Sequence, residues 1–246
     1  MNNKSKEKKT APPKAYEERY YLEGIDGHRG YPRDKISPRL LEGLVLLAPS
    51  PGEKILDIGC GKGEIVGECS KIGCFSVGID YSLTAVRFSR IYHKLSRIVR
   101  ASARKLPFRE SVFDKVLLID VVEHLDKDDL SMCLREIKRV LKTEGSLFIH
   151  TPNKNEHKLL RLMEVLDDLI FIRPFKSKYE LHVNLQTSSS LQRILLDNGF
   201  KSRIWCKFSC YSEVKLRVFL CKMICRFFPK FLLRDIWCTG QSLKMH

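Results

Sequence analysis

Ile55-Leu56-Asp57-Ile58-Gly59-Cys60-Gly61-Lys62-Gly63-Glu64-Ile65-Val66 is an apolar run that ends around an acid and opens into a glycine-rich turn. Ile55, Leu56 and Ile58 suit a strand buried on both faces, as parallel strands are. Gly59, Gly61 and Gly63 let the backbone turn sharply and come close to a ligand before a helix begins. Alone, such a turn is a weak signal for a nucleotide-type cofactor. Asp80 strengthens it, because it closes a second apolar run at 75–79, about where a βαβ unit places an acid to bind ribose hydroxyls. The competing role for Asp80 is a helix N-cap after a strand.

Outward from this turn, strand-like and helix-like stretches alternate. The patterning predicts strands at 54–58, 75–79, 97–100, 114–119, 145–150 and 202–208, with a short last strand at 242–245. Ser37 and Pro38 offer an N-cap and a first-turn proline for a helix through Leu40, Leu41, Leu44 and Leu47. Leu130, Leu134, Ile137, Val140 and Leu141 form one apolar helical face that Gly145 should end. The alternation predicts an α/β fold: a Rossmann-like, doubly wound, mostly parallel seven-stranded sheet with helices on both faces. Ligands of such sheets sit beyond the carboxyl ends of the strands, where the glycine turn and Asp80 lie.

The 246 residues suffice for one domain with extensions. Residues 1–15 are expected to be a disordered basic tail, with the domain at 16–246 and insertions at about 154–182 and 211–234. Tyr16, Tyr20, Tyr21 and Tyr31 lie among charges and glycines, which suits a partly ordered lid. Nine cysteines without a C-x-x-C pair argue against a disulfide framework and for a reducing, cytoplasmic setting. Neither a signal peptide nor a spanning helix is expected. The net charge is +15, and residues 201–246 hold ten Lys/Arg against two Asp/Glu. Such a basic end suits an anionic partner, nucleic acid or a membrane surface, or only a basic solvated surface.

The ordered set Leu56-Asp57-Ile58-Gly59-Cys60-Gly61-Lys62-Gly63, Gly78-Ile79-Asp80-Tyr81-Ser82, Leu106-Pro107-Phe108, Phe113-Asp114, Val122-Glu123-His124-Leu125 and Asn198-Gly199-Phe200 resembles class I S-adenosylmethionine-dependent methyltransferases of the type 11 branch. The resemblance spans roughly residues 16–208. It implies S-adenosyl-L-methionine as cofactor, with Asp57, Gly59, Cys60 and Gly61 along its methionine end. It also implies Asp80 on the ribose, Tyr81 near the adenine, and Ile119 and Asp120 beside the sulfonium. Just before Leu106-Pro107-Phe108 the family has Asp-Ala, where this chain has Ser102-Ala103. The acid that receives the adenine amino group is replaced by a hydroxyl, so cofactor binding should be weaker or lean on the Ala103 amide.

Asp120 and His124 are the catalytic candidates, with His124 a base for an acceptor hydroxyl. The 120–124 segment also reads as helix capping and packing. A third reading is a divalent site at Asp120, Glu123 and His124, because ubiquinone-pathway O-methyltransferases have a similar pattern; no metal is assigned. His150-Thr151-Pro152-Asn153 and His182-Val183-Asn184 either border the acceptor pocket or serve as turn and cap residues.

Lys222, Arg226, Lys230 and Arg234 recur every four residues beside Phe219, Phe227, Phe228 and Phe231. The segment 214–234 therefore reads as an interfacial helix for peripheral membrane contact, or as a helix packed over the acceptor site. The expected function is methyl transfer to a small-molecule or lipid-linked acceptor at oxygen. The alternatives are an RNA methyltransferase and a noncatalytic membrane-surface protein that keeps the fold.

Overall fold

A computed structural model describes residues 9–12, 36–93, 97–154, 181–207 and 235–243, with the side chains of 92 and 93 left aside. The expected lid, most of both insertions, the 214–234 helix and the rest of the tail lie outside the described residues.

The seven strands are β1 Lys54–Ile58, β2 Phe75–Asp80, β3 Ile98–Arg100, β4 Phe113–Ile119, β5 Leu141–Pro152, β6 Phe200–Lys207 and β7 Asp235–Ser242. They form one sheet in the order β3-β2-β1-β4-β5-β7-β6. β1 to β5 pair in parallel, and β7 runs antiparallel between β5 and β6. The order reverses beside β1, between β2 and β4, which is the switch point where open α/β sheets bind ligands.

Helices α1 Pro38–Leu47, α2 Glu64–Ile72 and α3 Leu83–His93 cover one face, and α4 Lys127–Val140 and α5 Ser188–Asp197 cover the other. Leu47 of α1, Ile65 and Cys69 of α2 and Ile55 and Leu117 of the sheet make one core. The larger core packs Leu130, Leu134, Ile137 and Val140 of α4 on Leu56, Ile58 and Val116. Each of these buried aliphatic side chains contributes about 1.5–3 kcal/mol. Alternation along β1 therefore sends Leu56 and Ile58 to one face and Ile55 and Asp57 to the other.

Several motifs prove to be structural clamps. Asp114 accepts from the Lys54 N–H at 2.9 Å and from Lys142 Nζ at 2.6 Å, joining β1, β4 and the start of β5. The Leu106 N–H donates to Glu136 Oε2 at 2.7 Å, and Arg139 donates to the Leu106 and Phe108 carbonyls at 3.1 and 2.8 Å. Leu106-Pro107-Phe108 is thus strapped to α4. Gly199 turns the chain at φ 78° into the buried Phe200.

Three expectations need correction. α4 ends at Val140, and Leu141 is extended and pairs with Phe113 to start β5. Gly145 ends no helix; it lies within β5 close to Leu141, where a Cβ would come within 2.8 Å of that side chain. The last strand is Asp235–Ser242 rather than 242–245, and its buried Ile236, Trp237 and Cys238 carry the apolar signal. Residues 9–12, assigned to a disordered tail, dock on the sheet's carboxyl end. There the Asp126 N–H donates to Thr10 Oγ1 at 2.9 Å and the Thr10 N–H to Asp126 Oδ2 at 3.4 Å.

Candidate active site

Beyond the carboxyl ends of β1, β2 and β4 lies a cavity of about 490 Å³, a volume suited to a cofactor with part of a second substrate. Gly59, Cys60, Gly61, Asp80, Tyr81, Ser102, Ala103, Ile119, Asp120 and His124 all line it. Asp57, expected on the same wall, is not among the lining residues. It shares the Ile55 face of β1, and burial, then Glu64 and Asp80, push its carboxyl up to about 8.

The turn is shaped for close approach. Gly59, Gly61 and Gly63 have φ of 73°, 53° and 84°. A Cβ on Gly59 would collide with the Val121 side chain. The Gly61 N–H donates to Asp80 Oδ2 at 3.0 Å, and the Ser82 N–H donates to Asp80 Oδ1 at 2.8 Å. Two backbone donors thus fix the Asp80 carboxylate at the cavity wall, and a carboxylate so placed is a suitable acceptor for a ribose hydroxyl. Glycines at positive φ, an anchored acid and a cavity of this size fit the expected cofactor.

The opposite end is governed by a buried charge chain. Asp120 follows β4 at φ 56°, a conformation Asp tolerates better than most residues. Its Oδ2 pairs with Arg39 of α1 at 2.8 Å, and its Oδ1 meets His150 Nδ1 at 2.6 Å. His150 Nε2 faces Asp235 Oδ1 of β7 at 3.4 Å, an ion-pair contact. Burial opposes ionisation of Asp120, but Arg39 and then His150 outweigh it and hold the carboxyl well below the usual range. Burial likewise opposes the His150 cation, but Asp120 and Asp235 raise it to about 9. His150 is 1% exposed, so it stands behind Asp120 rather than bordering the acceptor pocket.

His124 closes a short 3₁₀ turn at Val122–His124. Its Nδ1 lies 3.2 Å from the Leu181 carbonyl, which can only accept, so Nδ1 carries the proton and Nε2 the lone pair. Burial lowers its pKa, against the Leu181 carbonyl and Asp120, favouring the neutral imidazole. Buried Glu123 accepts from Thr151 Oγ1 at 2.9 Å, while its carbonyl accepts the Val183 and Asn184 N–H groups. Burial and then Asp120 raise its carboxyl pKa.

Among the described residues, the set whose donor atoms converge within 4.8 Å is Glu123, His124 and His182, not the expected Asp120, Glu123 and His124. Asp120 is drawn off by Arg39 and His150, and the ring of His182 packs edge-on against His124 with centroids 5.0 Å apart. A cation there would have to displace the proton that burial keeps on Glu123.

Arg39 and Thr10 were not singled out as site residues, whereas Thr151 and His182 were read as either pocket or turn residues. Arg39 lies 81 positions from Asp120, and only the packing of α1 on β4 brings them together.

A family model for a methyltransferase domain matches residues 56–149. That segment is similar to a methyltransferase domain. The demethylmenaquinone methyltransferase of Corynebacterium kroppenstedtii is 35% identical over 103 residues, 42% of this chain and 43% of that protein. The ubiquinone biosynthesis O-methyltransferase of Bartonella quintana is 31% identical over 128 residues, 50% of this chain and 51% of its own. The chain thus spans about half the length of the curated relatives it matches. A SAM dependent methyltransferase from Archaeoglobus fulgidus superimposes on the domain with a TM-score of 0.58 at 20% identity, over 83% of this chain and 91% of that one.

Proposed function

We propose that this chain is an S-adenosylmethionine-dependent methyltransferase that acts at oxygen on a small-molecule or lipid-linked acceptor. The observation that carries the reading is the continuity of one cavity, from Gly59, Gly61 and Asp80 at one end to Asp120 and His124 at the other. The cofactor, when bound, supplies a methyl group already activated on a cationic sulfur. Asp80 and the glycine turn would hold it by its ribose and backbone-facing groups. Asp120, kept ionised by Arg39 and His150, favours positive charge at its end of the cavity.

An oxygen acceptor must lose its proton as it attacks. His124 is suited to take it, because burial keeps the imidazole neutral and the Leu181 carbonyl directs the Nε2 lone pair away from that contact. The names of the two relatives, both enzymes of quinone synthesis, support an acceptor of that chemical class. Peripheral membrane contact through 214–234, in a cytoplasmic protein, belongs to the same reading. Binding of the full chain to anionic vesicles tests it.

The methyl-transfer reading is tested by incubating the full chain with methyl-labelled cofactor and cell extract. Label is expected in the organic-extractable, low-mass fraction. Label in RNA would replace this reading with the nucleic-acid one, and no label in any fraction would support a noncatalytic protein.

A further inference from the structure

The family resemblance places an acid at the position of Ser102 to receive the adenine amino group, and a serine hydroxyl could in principle accept it. The local geometry prevents that. The Lys105 N–H closes a turn onto the Ser102 carbonyl at 3.1 Å. Within this turn Ser102 Oγ accepts from the Arg104 N–H at 3.2 Å and from Arg104 Nε at 3.4 Å. A hydroxyl oxygen has two lone pairs. Both face Arg104, so the Ser102 side chain has only its O–H to offer a ligand, the wrong polarity for an amino group.

The other arm of the same guanidinium supplies an alternative. Arg104 Nη1 donates to Asp129 Oδ1 at 3.3 Å, carrying a carboxylate from the first turn of α4 to the Ser102 turn. Asp129 is 8% exposed and lines the same cavity wall as Ser102, Ala103 and Arg104. Its backbone N–H caps onto Asp126 Oδ1 at 3.0 Å, which fixes the residue in place. A carboxylate offers about four acceptor sites, of which this Arg104 contact occupies one. We propose that Asp129, held by Arg104, is the residue of this chain that accepts the amino group of the cofactor's purine. Ser102 shapes the turn and does not read the base. The acid that the family carries at this point of the chain has been replaced by one delivered from α4.

The inference rests on the S-adenosylmethionine reading. Its test is calorimetric binding of S-adenosylhomocysteine and of S-inosylhomocysteine, which carries a 6-oxo group in place of the amino group. The wild-type chain should prefer the adenine compound at least about ten-fold, the worth of one charge-assisted hydrogen bond. Asp129→Asn should still bind but bring the preference to about one, because a carboxamide can donate to the 6-oxo group. Asp128→Asn, which removes the same charge from a neighbouring cavity-lining residue, and Ser102→Ala should both keep the wild-type preference. Thermal melts of the Asp129 variant confirm that it is folded. A wild-type preference retained in Asp129→Asn, or lost in Ser102→Ala, overturns the assignment; the second result stands even if Asp129→Asn does not fold. Failure of the wild-type chain to bind either compound overturns the cofactor reading itself and this assignment with it.

Discussion

Replacing Asp120 with Asn tests the charge chain behind the site. Asn tolerates the left-handed backbone at φ 56°, so the change removes charge without adding backbone strain. It leaves Arg39, with a side chain 16% exposed, and His150, 1% exposed, facing an amide that can accept from only one of them well. The His150 pKa is raised from 6.5 to about 9. At about 1.4 kcal/mol per unit, its chain of partners favours the cation by roughly 3 kcal/mol. Breaking a buried ion pair costs about 3–5 kcal/mol, and His150 can escape part of that by losing its proton. A loss of about 3 kcal/mol is therefore expected. It would lower the Tm by roughly 6–12 °C for a domain of this size.

The pH dependence follows from the direction of the shift. A histidine with a raised folded-state pKa stabilises fully below about 6.5, and the stabilisation fades as pH rises through about 9. The gap between wild type and Asp120→Asn should thus be widest near pH 6.5 and shrink by pH 10. The Arg39 part persists at the higher pH. Calorimetric melts of both proteins at pH 6.5, 8 and 10 provide the measurement. A gap that stays constant with pH, or a Tm loss under about 2 °C, would refute the charge chain as described.

Gly59→Ala adds a Cβ against Val121 at a backbone φ of 73°, so a stability loss of at least about 1–3 kcal/mol in urea titrations is expected, with cofactor binding lost. Asp80→Asn should weaken cofactor binding by roughly 10- to 100-fold by calorimetry, since the carboxylate is an anchored charged acceptor. His124→Gln should lower kcat by about 10²- to 10⁴-fold with little change in cofactor affinity, and wild-type activity should rise through an apparent pKa below 6.5. Exhaustive chelation tests the divalent reading: unchanged activity removes it, whereas abolition by chelator and restoration by Mg2+ or Mn2+ would assign Glu123, His124 and His182 as ligands.

The strand, turn and acid of 55–80 were legible because each is a local rule: apolar burial, glycine at positive φ, and an acid after β2. The wall of the cavity was legible for the same reason, since it follows strand ends in order. Asp57 lies on the Ile55 face of β1, beside Glu64 and Asp80 but off the cavity lining, a distinction that the motif alone does not make. What escaped was long-range. Arg39, Asp235 and Thr10 reach the site from α1, β7 and the amino-terminal segment, and their roles depend on packing. The sequence left His150 as either a pocket residue or a turn residue; β7 places Asp235 and Trp237 against it, with the Trp237 ring centroid 4.5 Å away. The start of β5 at Leu141 was hidden because an apolar residue continues a helical face and begins a strand equally well.

The Gly59–Gly63 turn and Asp80 are expected to hold S-adenosylmethionine. Calorimetric titration of the full chain with that compound tests it most directly. One-to-one binding with a dissociation constant between about 1 μM and 1 mM is predicted, weakened at least about ten-fold in Asp80→Asn. No binding heat at millimolar cofactor, or equal binding by the Asp80 variant, would contradict it.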